Sequence, residues 1–139
     1  MAVRIEIAYE GELRCAAEHM PSSTELSTDA PVDNQGKGAS FSPTDLLATS
    51  LGTCMATTMG IVARRKGWNL DGITLSVDKH MTAEPPRRLA RLDVAFSVPN
   101  AVSAALDAAA KQELQHAAEH CPVALSLHPD VKLRVSFGW

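Results

Sequence analysis

Three cysteines, Cys15, Cys54 and Cys121, are the residues of this 139-residue chain best suited to chemistry. A thiolate is a nucleophile, and two thiols brought together can cycle through a disulfide. Cys54 and Cys121 lie 67 positions apart, so the C-x-x-C spacing of a zinc ribbon or a thioredoxin-like motif is absent and any pairing must come from the fold. Cys54 sits in SLGTCMATTMG, residues 50–60, inside a stretch that reads as a buried helix. Two readings stay open for it: a small hydrophobe filling a core, as free cysteine often does, or a reactive thiol. Cys121, in EHCPV, stands directly ahead of a proline that can start a new helical turn, and amides at a helix start stabilise a thiolate. On that local argument Cys121 is the more acidic thiol. Cys15 falls in an expected strand with no chemical neighbour and is read as strand core.

Other groups carry weaker signals. His116 and His120 are one helical turn apart and adjoin Cys121, so a metal site shared with Cys54 is an alternative to two solvated histidines on an alanine-rich face. A Cys/His hydrolase lacks a recognisable oxyanion-hole loop. Met20, Met55 and Met59 are core gap-fillers or, alternatively, walls for an apolar substrate. Arg87, Arg88 and Arg91 lie in or beside a hairpin and read as solvated.

The elements that must position these groups follow from periodicity. Residues 3–9 alternate with period two, Glu10-Gly11 makes a turn, and further strands are expected at about 12–19 and 25–28. DAPVDNQGKGASFSP is a polar loop rich in Gly and Pro, ending at a helix start. There Ser42 suits the N-cap, Pro43 the first helical position and Asp45 the acidic place of a capping box. The helix runs to about Lys66, with Arg64, Arg65 and Lys66 complementing its dipole and Gly67 stopping it. Strands are expected over 70–82 and 89–98, joined by EPPRR as a hairpin. Asn100 can cap one alanine-rich helix running to Cys121, where Pro122 forces a break, and VKLRVSF closes the chain. The order β-β-β-α-β-β-α-β points to an α+β fold with a largely antiparallel sheet, in one domain spanning 1–139. Residues 46–63 are apolar or small nearly all round, which suits a helix buried on all sides and is easier to satisfy with a second subunit.

Thirteen basic residues against 16 acidic ones give a net charge of −3, and no basic stripe suits a phosphate backbone, so nucleic acid is not expected as a partner. The N-terminus lacks the pattern of a signal peptide, and no stretch reads as long and apolar enough to span a bilayer. A cytoplasmic location is expected, where thiols stay reduced and a disulfide is more often transient than structural.

The stretch SPTDLLATSLGTCMATTMGIVARRKGW, the later CPV, the LSTDAP segment and the glycine-bearing loop before Pro43 together resemble the OsmC/Ohr superfamily of osmotically inducible and organic hydroperoxide resistance proteins, nearer its OsmC-like branch. The resemblance implies an OsmC-like α+β fold forming an intertwined homodimer, with long central helices packed between sheets from both chains. It also implies that Cys54 is the peroxidatic thiol and Cys121 its resolver. The activity implied is thiol-dependent reduction of organic hydroperoxides, with no cofactor and with an external dithiol, of lipoyl type, as reductant. A non-enzymatic small-molecule binding or stress protein with incidental thiols is the alternative.

Cys54 lies about three turns from Ser42, beyond useful reach of the helix dipole, so its thiolate needs another positive group. In the family an arginine of the N-terminal sheet, aided by a glutamate before the central helix, has that task. Arg14 matches the arginine in position, with a solvated strand arginine as the other reading. The family's Asn-Pro-Glu-Glu is replaced here by Ser42, Pro43, Thr44 and Asp45, so only Asp45 can stand in. Nine residues at about 100° each put Asp45 and Cys54 on opposite sides of a straight helix, which favours helix capping as its role.

Overall fold

The computed structural model describes all 139 residues, Met1–Trp139, which form two compact units, Met1–Leu47 and Ala48–Trp139. In the first, β1 (Ile5–Gly11), β2 (Arg14–His19) and β3 (Thr24–Asp29) make an antiparallel meander in the order β1-β2-β3. The register sorts its residues by chemistry. Ile5, Ile7, Tyr9, Cys15, Ala17 and Leu26 share one face, whereas Glu6, Arg14, Glu18, Glu25 and Asp29 share the other. The loop after β3 contains a single 3-10 turn, Val32–Asn34, and is anchored by Asp29, whose amide donates to Phe41 and whose carboxylate accepts from the Ala39 amide at 2.9 Å.

The long helix α1 spans Pro43–Lys66, the bounds expected from its end signals. Ser42 Oγ accepts from the Asp45 amide at 3.1 Å while Asp45 returns the bond to the Ser42 amide at 2.9 Å, a closed capping box. At the other end Gly67 adopts φ +72° and Trp68 N donates to Ala63 O, so the chain leaves the helix through a left-handed residue that only glycine takes without strain.

The second unit contains the body of α1 and a sheet in the order β4 (Thr74–Met81), β5 (Leu89–Ser97), β6 (Lys132–Gly138). β4 and β5 form the expected hairpin, but β4 begins only at Thr74, because Ile73 N bonds back to Leu70 O in a turn. β6 joins β5 in parallel, since the helical crossover between them returns the chain to the same end of the sheet. The single alanine-rich helix expected before Cys121 is two: α2 (Asn100–Ala104) and α3 (Ala108–Glu119). Asp107 makes the difference, capping α3 by accepting from Ala110 N at 2.8 Å, and Pro99 rather than Asn100 occupies the N-cap position of α2. A short α4 (Pro122–Ser126) follows Cys121.

Ala48, Leu51, Gly52, Met55, Met59 and Ala63 form the buried row of α1. A Cβ on Gly52 would come within 2.8 Å of Val77 Cγ2 and 3.1 Å of Leu75 Cδ1, so glycine is what lets this turn lie close on β4. Leu92, Val94 and Phe96 of β5 complete the core from the sheet, and Leu114 and Ala118 from α3. The expectation that α1 is buried on all sides is not met within one chain: Thr53, Thr57 and Ile61 lie exposed. Contrary to the sequence reading, α1 is long and apolar enough by length and composition to cross a bilayer, with an 18-residue window of mean hydropathy 1.5. Only 33% of that window is buried in the single chain: Ala48, Leu51, Met55 and Met59 pack within this unit while Ile61 stays exposed.

Candidate functional site

The second unit brings Cys54 and Cys121 together. Lys66 at the end of α1 pairs with Glu113 at 3.5 Å, and Cys54, further back on α1, meets Cys121 at the end of α3, so the two helices run antiparallel. Both thiols are free. Their contact depends on the helix break at His120, where α3 ends as the His120 and Cys121 amides close back onto His116 O and Ala118 O. Pro122 then opens α4 with Cys121 at its N-cap position.

The two sulfurs sit in unlike surroundings. Cys54 is half-buried, whereas Cys121 has 0% of its surface exposed. Burial pushes the Cys121 thiol above its ordinary range and the neighbouring Cys54 pushes it the same way, while the amides of Ala124 and Val123 pull against them without closing a formal cap hydrogen bond. The local argument from the helix start is therefore corrected: those amides are present, but desolvation outweighs them. Cys121 stays a protonated thiol through neutral pH. Ultraviolet titration of thiolate absorbance should show one component rising above the ordinary cysteine range, and Cys121→Ser should remove that component alone. Because the native state keeps this proton longer than the unfolded chain, it loses stability as pH rises past the unfolded thiol's value. The same variant should flatten that alkaline decline.

The other sequence candidates are placed as follows. Asp45 is engaged in the capping box at the start of α1. Arg14 is exposed on the charged face of the first sheet, opposite Gly11 and Asp29 in register, and its guanidinium closes no ion pair. Cys15 lies in the same sheet on its apolar face, opposite Tyr9 and Thr28. His116 and His120 stack with ring centroids 4.0 Å apart and are exposed. No group of three His, Cys, Asp or Glu residues converges in the chain to hold a metal ion.

Arg91, expected to be solvated, is instead half-buried in a charged cluster. On the second sheet, Arg91 Nε donates to both oxygens of Asp93, at 2.9 and 3.0 Å, and His80 Nε2 lies 2.9 Å from Asp93 Oδ2. Partial burial raises the Asp93 carboxyl, but Arg91 and then His80 outweigh it and hold the group below the usual carboxylate range. The signal was the i, i+2 spacing of polar residues at outward strand positions, Asp78/His80 and Arg91/Asp93.

The OsmC-like protein family matches residues 36–136. Among solved structures, a protein of Psychrobacter arcticus 273-4, provisionally designated an osmotic stress induced and detoxification response protein, is 44% identical over 96% of this chain and 93% of its own, with a TM-score of 0.88. An organic hydroperoxide resistance protein OsmC from Legionella pneumophila is 17% identical, covering 100% of this chain and 98% of its own with a TM-score of 0.72. The organic hydroperoxide resistance protein OhrB of Bacillus subtilis is 14% identical over 99% and 98%, with a TM-score of 0.70. The last two share the fold. Comparison with curated proteins returns no match.

Proposed function

This chain belongs to the OsmC-like protein family, and from that premise we propose that it is a thiol-dependent peroxidase that reduces organic hydroperoxides to alcohols. The observation that carries the reading is the meeting of a half-buried Cys54 with a fully buried Cys121, both as free thiols. The names of the Legionella and Bacillus relatives supply the substrate class. The Cys54 thiolate attacks the terminal oxygen of the hydroperoxide. The O–O bond breaks, the alkoxide leaves and takes a proton to become the alcohol, and Cys54 is oxidised to a sulfenic acid. The Cys121 sulfur then attacks the Cys54 sulfur, water departs, and the two thiols become a disulfide. Two thiol–disulfide exchanges with an external dithiol of lipoyl type restore the pair in a reducing, cytoplasmic setting. The apolar residues of α1 on either side of Cys54 favour organic hydroperoxides over hydrogen peroxide.

Arg14 is the cation proposed to hold the Cys54 thiolate, in an assembly of two chains. Asp45 supports the reading through the capping box that fixes the start of α1. Arg14→Met should slow oxidation about tenfold or more at neutral pH and move the pH–rate profile to higher pH, because an opposite charge nearby favours the charged form of a thiol. An unchanged rate would remove Arg14 from the site.

The proposal is tested by counting thiols after one equivalent of cumene hydroperoxide. Rapid loss of two thiols supports the peroxidase. Retention of all three assigns the chain to the alternative, a small-molecule binding protein with incidental cysteines.

A further inference from the structure

The outward face of the second sheet holds a concentration of charge that thiol chemistry does not use. Arg91 of β5 lies beside Lys132 of β6 in register, and Asp93 beside Arg134. Arg91 is paired with Asp93, and Arg88 at the hairpin end is paired with Asp130 at 3.3 Å. Lys132 and Arg134 are exposed and close no ion pair. Arg88, Arg91, Lys132 and Arg134, with Asp130 and Thr82, line a groove of about 420 Å³.

Four cations face the carboxylates of Asp130 in the groove and of Asp93 and Asp78 in the adjoining row, so the face carries about one positive charge in excess, and Lys132 and Arg134 are the two cations that close no ion pair. Neighbouring strands lie about 4.8 Å apart and residues i and i+2 about 7 Å apart, so the backbone positions of Arg91, Lys132 and Arg134 form a corner from which three side chains can close on one tetrahedral anion. Guanidinium groups bind phosphate oxygens in pairs, and a phosphate ester carries about −1.5 to −2 charge at neutral pH, which the two unpaired cations, Lys132 and Arg134, are placed to meet. The chain's net charge of −3 disfavours an extended polyanion and leaves a small ligand as the better fit.

We propose that this groove binds a phosphate dianion, free or borne on a small phosphomonoester. The test is titration followed by amide NMR shifts at constant ionic strength, with inorganic phosphate, phenyl phosphate and, as the monoanion, benzoate. Saturable shifts centred on Arg91, Lys132 and Arg134 are expected for both phosphates and not for benzoate. Lys132→Ala combined with Arg134→Ala should weaken phosphate binding at least tenfold while leaving the thermal melt unchanged. Arg64→Ala combined with Arg65→Ala, at the end of α1, should bind as the parent does. Tighter binding of phenyl phosphate assigns the ester, and equal or tighter binding of inorganic phosphate assigns the free ion. A response that fails to saturate, that chloride reproduces, or that both double variants lose equally would overturn the proposal. None of these readouts depends on peroxide turnover, so the groove and the peroxidase reading stand or fall separately.

Discussion

Cys54→Ser should reduce peroxide consumption to the background rate, whereas Cys121→Ser should consume one equivalent and stop, with a sulfenic acid or mixed disulfide on Cys54. The asymmetry follows from access and protonation. A peroxide must reach the attacking sulfur along the O–O axis, and Cys54 retains exposed surface while Cys121 has none. Burial also pushes the Cys121 thiol above its ordinary range, which disfavours it as first nucleophile and suits a group that acts only once a sulfenic acid lies against it. Dimedone trapping followed by peptide mass should place the adduct on Cys54 in the Cys121→Ser protein and nowhere in Cys54→Ser. Cys15→Ser should behave as the parent, because the strand neighbours of Cys15 are Tyr9 and Thr28, neither of them a thiol. An adduct on Cys121 in the Cys54→Ser protein would reverse the assignment and return priority to the amides at the start of α4.

The acidity of Cys121 shows where sequence reasoning runs out. EHCPV announces a helix start and therefore amides, but says nothing of desolvation, which depends on what packs over the turn. α1 was legible to the residue because independent signals agree at both ends: Ser42, Pro43 and Asp45 at one, Arg64 to Gly67 at the other. The helix after β5 was legible only in part. Its alanines give unbroken propensity from 101 to 120, and the interruption rests on Asp107 accepting from Ala110, with no Glu or Gln at the third helical position to complete a capping box. The parallel pairing of β6 has no local signature either, since VKLRVSF alternates as an antiparallel edge strand would. The contact between thiols 67 positions apart was reached through family resemblance alone. The antiparallel run of α1 and α3 is what brings them together.

Ile7→Glu should convert a homodimer into monomers at micromolar concentration. Every residue of β1 except Gly11 is exposed in the single chain, with Ile5 at 58%, Ile7 at 69% and Tyr9 at 68%, and Leu26 continues the same face at 45%. On α1, Ile61 is 48% exposed, and only 33% of the most apolar window is buried. An apolar sheet face and half of an apolar helix left in water by one chain are what a second chain would cover. Burying a large apolar side chain contributes about 1.5–3 kcal/mol, so a handful of such residues per chain can hold two subunits together. A glutamate at Ile7 would lose that contribution and force an unpaired carboxylate into the interface, a cost of several kcal/mol more. Glu18→Gln, on the opposite face of the same sheet, should leave the dimer intact and controls for any general effect on the strands. Light scattering across a dilution series reads the outcome, and the melting temperature of the parent should fall on dilution while that of Ile7→Glu should not. A parent that is monomeric at micromolar concentration defeats the dimer, and a dimeric Ile7→Glu protein moves the interface off this sheet. Should dimer and peroxidase activity both disappear in Ile7→Glu while Cys54 and Cys121 remain intact, the groups that activate Cys54 must come in part from the second chain.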